Sequence, residues 1–557
     1  MRFLPAFAAL LPATAAALLL PPRPAAAQLL QPKPAFTRAD SLRGTLSPLR
    51  SCYDVGYYHL DVKLDVKARA ISGSNLIRFT ATQDFTRLQF DLFANLQVER
   101  VEYKGKNLPF TREANAVFVT FPQPIRQGAR DEFRVYYGGQ PTVARRAPWD
   151  GGFVFTEHGP GQPWVATACQ GVGASIWWPC KDHQSDEPDS MMISVTVPKG
   201  LTDVSNGRLR KTTPLKGGFT RFDWAVSNPI NNYDVALNVA NYVHLSDAYQ
   251  GEKGRLTLDY WVLPENLDKA KKQFGANVKP MLKSFESWFG PYPFYQDGYK
   301  LVETPHLGME HQSAVAYGNK YQNGYLGQDR SATGWGDKWD FIVIHESGHE
   351  WFGNNITSKD IADMWIHESF TTYSESLFTE SLFGKQAGQE YVHGQRRNIR
   401  NDAPIIGPYG VNREGSGDMY DKGAVLLNMV RVSMGNDEKW RELLRGLNQQ
   451  FYHQTVTTED IVQYFRRTGR DLTAVFNQYL RHPALPTLEV RFEQGRMLAR
   501  WIADEPGFDL PVRVRTRGGE YRLILPNTRF QVMDLPGATK ENLEVDTFNY
   551  YIGVLVE

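Results

Sequence analysis

From Tyr53 onward, apolar and polar positions alternate with a period of two. The run Tyr57-Tyr58-His59-Leu60-Asp61-Val62-Lys63-Leu64-Asp65-Val66 sets the pattern, and Asn75 to Phe79, Leu88 to Leu92 and Phe133 to Tyr137 repeat it between Gly and Asn punctuation. Successive side chains on a strand point to opposite faces, so this spacing predicts half-buried strands, and their succession predicts an all-β domain over residues 51–253. After about Leu256 the apolar spacing lengthens. Asn266 to Trp288 carries helical spacing, with Pro280 a candidate interruption because a proline inside a helix removes a backbone donor. Lys300 to Glu303 reads as a strand, residues 339–383 as a pair of helices, and the apolar stretch to Val430 as a helix capped by Asp418 and ended at Gly435. Helical spacing continues through Lys439 to Leu444 and Thr458 to Tyr479. His482-Pro483-Ala484-Leu485-Pro486 breaks it. Leu488 to Val490, Leu498 to Ile502, Val512 to Val514 and Tyr521 to Leu525 then alternate as the short strands of a small β domain, 484–557. The expected fold class is multidomain α+β.

Residues 28–50 contain Pro and Ser without a steady period and read as a linker. Ahead of them, Met1-Arg2, an apolar run from Phe3 to Leu20 and the small residues Ala25-Ala26-Ala27 before Gln28 have the order of a secretory signal peptide, 1–27, cleaved after Ala27. A retained anchor is the rival, and Pro5, Pro12 and Pro21-Pro22 work against a spanning helix. The expectation is an exported protein, periplasmic or secreted, with no stable membrane span once the leader is removed.

Composition narrows the partners. The 557-residue chain carries a formal charge of +1, which becomes −1 when residues 1–27 and their Arg2 and Arg23 are removed. A near-neutral surface gives no electrostatic basis for binding nucleic acid. The three cysteines, Cys52, Cys169 and Cys180, cannot all pair; Cys169–Cys180 is a candidate short-loop disulfide, with core filling the alternative.

The chemistry is concentrated in Phe341-Ile-Val-Ile-His345-Glu346-Ser-Gly-His349. Residues four apart on a helix share a face, so His345 and His349 can converge on one Zn²⁺ while Glu346 between them faces a water. Glu368, nineteen positions after His349, lies in the second helix of a helix–loop–helix return and completes two imidazoles and a carboxylate. That ligand set leaves a coordination position open, as a catalytic rather than a structural zinc site requires. Glu375, two helical turns beyond Glu368, and Asp363 are candidates to orient a zinc histidine.

With these residues in place the chain resembles the gluzincin metallopeptidases, and within them the M1 aminopeptidase family. The resemblance extends to Gln170 in Cys169-Gln170-Gly171, to Leu307-Gly308-Met309-Glu310-His311 against the family's G-x-M-E-N, and to Tyr420 in Tyr420-Asp421-Lys422-Gly423-Ala424. Leu307 and His311 depart from the family pattern at its two ends. The resemblance implies a thermolysin-like α/β zinc peptidase domain, 254–483, between the two β domains, and one zinc ion per chain. It implies that Glu346 takes and returns a proton, that Tyr420 supports the oxyanion, and that Glu310 and Gln170 bind the free amine of a peptide substrate. The backbone at Gly308 and Met309 would pair with that peptide as an edge strand. The large helical C-terminal domain of many family members has no counterpart here, which implies a more open site. Rival readings are a gluzincin endopeptidase, an epoxide-hydrolysing member of the same family, and a non-catalytic zinc-stabilised binding protein.

Overall fold

The alternating text from Tyr53 forms the central strands of an eight-stranded sheet in which Tyr53–Asp65 pairs antiparallel with Ala70–Ala81 and parallel with Ser190–Pro198. Tyr58, Leu60, Val62 and Leu64, the every-other positions, are all fully buried. A three-stranded sheet containing Phe85–Asp91 and a four-stranded sheet containing Gln162–Ala168 complete the N-terminal β region, around a core that includes Trp177 and Trp178. The structure, a computed structural model, describes residues 35–557. The expected leader at 1–27 and the start of the expected linker lie outside the described residues. Among the described residues, no helix is long and apolar enough to cross a membrane.

The rest of the stretch read as a linker is structured. Two short helices, α1 (Arg38–Gly44) and α2 (Pro48–Ser51), dock on the β region. Arg50 is fully buried, donates to Asp91 at 2.5 Å, and also donates to the carbonyls of Arg43, Thr45 and Asp182. Periodicity could not show this, because what holds the segment is a set of long-range polar contacts, the Arg50–Asp91 and Arg38–Glu113 ion pairs among them, rather than an apolar stripe. The candidate disulfide is not formed: Cys52, Cys169 and Cys180 are all unpaired and buried, and act as core filling.

The peptidase region is built on a five-stranded sheet whose order is Val243–Gly251, Gly254–Val262, Tyr299–Glu303, Val315–Tyr317, Gly308–Met309. Its first strand lies before the expected boundary at 253, because the hairpin joining Val243 to Val262 pairs along its whole length and cannot be divided between layers. Gly308–Met309 is an edge strand, antiparallel to Val315–Tyr317. Helix α3 (Leu267–Phe289) runs through Pro280 without a break, its packing through Phe274, Val278, Met281 and Phe285 outweighing the lost hydrogen bond. Helices α4 (Phe341–Gly348) and α5 (Trp365–Phe383) lie against it, followed by α6 (Lys385–Gln395) and α7 (Asp421–Met434). Gly435 ends α7 in the left-handed region at φ 64°, as expected.

Asp418 does not cap α7. It lies in the preceding turn, Gly417–Met419, and its carboxylate accepts from the backbone N–H groups of Arg400 and Asn401. The residue at the helix start is Tyr420 itself. Beyond the helices, Thr487–Glu493, Arg496–Ile502 and the later strands form a four-stranded and a three-stranded sheet. Their buried residues, Trp501 and Phe508 among them, continue the apolar core of the peptidase region.

Candidate metal centre and substrate cleft

Helix α4 starts at a capped end. Asp340 accepts from the N–H groups of Ile342 and Val343, satisfying donors that a helix start leaves open, and it also accepts from the side chains of Tyr317, Asn319 and Gln273. This fixes the rotation of α4 and so the direction in which His345 points. His349 follows the last residue of the helix with helical dihedrals, φ −63° and ψ −22°, so the one-turn spacing of the two imidazoles is kept. Helix α5 delivers Glu368 from its first turn. His345 Nε2 lies 3.7 Å and His349 Nε2 3.4 Å from Glu368 Oε2.

The outer nitrogens fix the tautomers. His345 Nδ1 is 2.7 Å from Glu375 Oε1, and His349 Nδ1 is 2.9 Å from the carbonyl of Phe352. Both partners only accept, so both Nδ1 atoms donate and both Nε2 atoms face Glu368. Glu375 is itself held by the Tyr391 hydroxyl and the Gln395 amide of α6. Glu375 is thereby held against His345. Asp363 does not reach either histidine: it accepts from Thr458 and Tyr409, and so ties the start of α5 to the segment that follows Val456.

The three inward atoms fit a cation. They lie within 4.8 Å of one another, and Glu368 Oε2 is buried without a hydrogen-bond donor. Burial works against charge on both sides of this contact, yet the imidazoles hold the Glu368 carboxyl well below the usual carboxylate range. Likewise, against the cost of burial, Glu368 and Glu375 raise His345 to about 10. These surroundings favour positive charge at the point where the ligand atoms converge.

All of these ligands line one cavity of about 890 Å³, together with Glu346, Glu310, Gln170, Gly308, Met309 and Tyr420. Burial raises the Glu346 carboxyl above its ordinary value. The edge strand passes directly over it: a Cβ at Gly308 would stand 2.7 Å from Glu346 Oε1, so only glycine leaves that carboxylate in place. Glu310, at the end of the strand, accepts from the Tyr233 hydroxyl at 3.0 Å and is almost fully buried. Its carboxylate, that of Glu346 and a nitrogen of His349 also lie within 4.8 Å of one another. Gln170 donates its amide N–H to Glu368 Oε1 at 2.9 Å, which leaves its own oxygen to accept from a ligand.

Tyr420 stands over His345 with ring centroids 6.1 Å apart. Burial and the carboxylates of Glu368, Glu414 and Glu310 push its hydroxyl well above the usual tyrosine value, so it stays protonated and able to donate. The close approach of α7 to α5 depends on Gly423, where a side chain would collide with Ser369. Of the two departures from the family pattern, Leu307 lines the cavity. The His311 ring is fully buried, makes no side-chain hydrogen bond and is driven down to about 3 by burial, so it packs as a neutral ring.

Three residues that shape the site were not read from the sequence. Asp340 had a signal, an acidic residue just before an apolar helical run. Tyr233 had none, since 77 residues separate it from Glu310. Glu414, six positions before Tyr420, lines the cavity but sits in a stretch without regular spacing.

Comparison with known proteins agrees with this geometry. Residues 276–479 match the Peptidase family M1 domain and residues 55–233 the Peptidase M1 N-terminal domain. Aminopeptidase B of Rattus norvegicus is 24% identical over an alignment of 433 positions that covers 72% of this chain and 62% of that protein. Leukotriene A-4 hydrolase of Xenopus laevis is 22% identical over an alignment of 473 positions that covers 79% of this chain and 73% of that protein. An M1 zinc metallopeptidase of Deinococcus radiodurans, solved with a Tyr-Ser-Ala substrate, superposes with a TM-score of 0.65 at 20% identity, covering 78% of this chain and 95% of that one. The chain thus spans less than two thirds of the length of the aminopeptidase B relative.

Proposed function

The chain belongs to peptidase family M1, and from that premise we propose that it is a zinc-dependent aminopeptidase that removes N-terminal residues from peptides. The observation that carries this reading is the position of Glu310. Its carboxylate lies within 4.8 Å of both Glu346 and His349, so a substrate amine bound there leaves room for one residue before the reacting carbonyl.

His345, His349 and Glu368 would hold the zinc, which when bound lowers the pKa of a water and polarises a carbonyl. The chain's own groups do the rest. Glu346 is raised by burial into the range where it can accept a proton and return it to the departing amine. Tyr420 donates its hydroxyl to the oxygen on which charge develops. Glu310 binds the α-ammonium by a charge-assisted hydrogen bond, with the Gln170 oxygen as a second acceptor. The edge strand Gly308–Met309 aligns the substrate backbone. We place the protein outside the cytoplasm, as exported and either periplasmic or secreted; the support is the order of basic, apolar and small residues in 1–27.

The test compares leucyl p-nitroanilide with its N-acetyl counterpart, each with and without a zinc chelator. Cleavage of the free amine alone, abolished by chelation and restored by zinc, is expected. Cleavage of both compounds at similar rates would replace the aminopeptidase reading with an endopeptidase one.

A further inference from the structure

Glu414 is the one carboxylate of the cavity for which the proposed reaction has no use. It lines the cavity with Glu310, Glu346 and Glu368, and among the described residues it makes no hydrogen bond or ion pair within the chain. Its place is fixed on both sides. Asn412 donates to the Gly171 carbonyl at 3.0 Å, and the N–H of Ser416 donates to the Pro404 carbonyl at 2.8 Å. Between these anchors, the chain passes so close to Ile405 that a side chain at Gly415 would strike its carbonyl. The Glu414 carboxylate is thereby held beside Gly171, whose Cβ position lies 3.0 Å from Glu414 Oε1. It therefore stands next to Gln170, at the end of the cavity that receives the substrate's first residue.

A count of charge shows what this end lacks. A bound zinc ion offsets two of the four carboxylates, and a substrate ammonium offsets a third. Of the basic residues on the cavity wall, Arg330 is paired with Asp421 at 3.1 Å, and Arg413 is exposed. Burial raises the Glu414 carboxyl to about 7, and the charged groups that add to the shift, Glu368 and Glu310, are both acidic. One negative charge remains, in a partly desolvated position where a missing partner is costly. Trp149, Val172 and Met419 line the same cavity and supply apolar surface for an aliphatic stem.

We propose that Glu414 selects the side chain of the substrate's N-terminal residue, favouring arginine and lysine. This rests on the aminopeptidase reading above and names the substrate class of that site. The residue makes a specificity contact and has no part in the bond-breaking step.

The experiment measures kcat/KM of the zinc-loaded full chain and of Glu414→Gln, Glu414→Asp and Glu414→Lys on arginyl, lysyl, methionyl and leucyl p-nitroanilides. For the wild type, arginyl and lysyl substrates should exceed methionyl by at least roughly tenfold, the scale of one charge-assisted contact. Glu414→Gln should remove that preference and leave methionyl and leucyl rates within about threefold, with Glu414→Asp retaining part of it and Glu414→Lys reversing it. The unchanged methionyl rate also shows that the variants are folded. Equal loss on all four substrates in every variant, or a wild type that cleaves methionyl and leucyl compounds without preferring the cationic ones, overturns the inference and leaves the aminopeptidase reading standing. A wild type that cleaves none of the four overturns both.

Discussion

Glu346 and Glu368 are buried carboxylates near the same two imidazoles, and their surroundings move them in opposite directions. Burial dominates at Glu346 and raises it; at Glu368 burial is outweighed by His349 and His345, and the group is lowered. One is thereby suited to carry a proton and the other to stay ionised as a ligand. The two roles separate by mutation. Glu346→Gln is expected to keep one zinc per chain by elemental analysis while kcat falls by about 10²–10⁴, the range for losing a positioned acid–base group. A variant that lost zinc and activity together would make Glu346 part of the metal site instead. The assignment of Glu310 has a comparable basis, because among the described residues its one side-chain donor is the Tyr233 hydroxyl, and its carboxylate lines the cavity where a substrate ammonium would bind.

Among the elements, α5 connects the metal ligands to the rest of the peptidase region. Glu368 and Glu375 are seven residues apart, two turns, and so share the face that meets α4. Asp363 precedes the helix in a single turn, Ile361–Asp363, where the side-chain direction does not follow helical spacing. This is why residue type and distance along the chain were enough for Glu375 and misleading for Asp363. The consequence is measurable by competition with a zinc-binding dye. Glu375→Gln should weaken zinc affinity about 10–100-fold, as loss of the group that orients a ligating histidine does. Asp363→Asn should leave zinc affinity unchanged and lower the melting temperature instead, because the donors of Thr458 and Tyr409 lose a charged acceptor.

Across the whole molecule, the β region and the peptidase sheet are joined by buried polar groups as well as apolar ones. Lys300, on the strand Tyr299–Glu303, is fully buried, donates to the carbonyl of Gly207 and lies 5.5 Å from the Trp224 ring. Burial lowers its ammonium to about 8, from an ordinary 10.5, despite Asp297 and Asp259 nearby. Below pH 8 both folded and unfolded chains carry this proton, and the folded chain bears the cost of a buried charge. Between pH 8 and 10.5 the folded chain has released the proton that the unfolded chain still holds, so stability contributed by this group rises with pH, by about 3 kcal/mol in all. Lys300→Met should remove that rise. Thermal unfolding of both proteins from pH 7 to 9.5 should show the wild type gaining on the variant as the pH increases, and parallel curves would contradict it.

The sequence by itself determined the strand and helix types, the pairing of His345 and His349 on one helix face, and the place of Glu310 directly after the edge strand. In each case the information is local: a period of two or 3.6, or ligands spaced by one helical turn, survives in the chain because the geometry that uses it is local too. Glu368 was legible because the return from α4 to α5 is short. Tertiary structure alone decided that residues 38–50 are docked rather than extended, that Cys169 and Cys180 stay apart, and that Asp418 serves a loop instead of α7. It alone brought Tyr233 to Glu310 and Glu414 into the cleft. Those contacts join residues tens to hundreds of positions apart, and a single buried pair leaves no periodic trace in the residues around it. Their energies come from desolvation and charge at one point in space, which order along the chain does not encode.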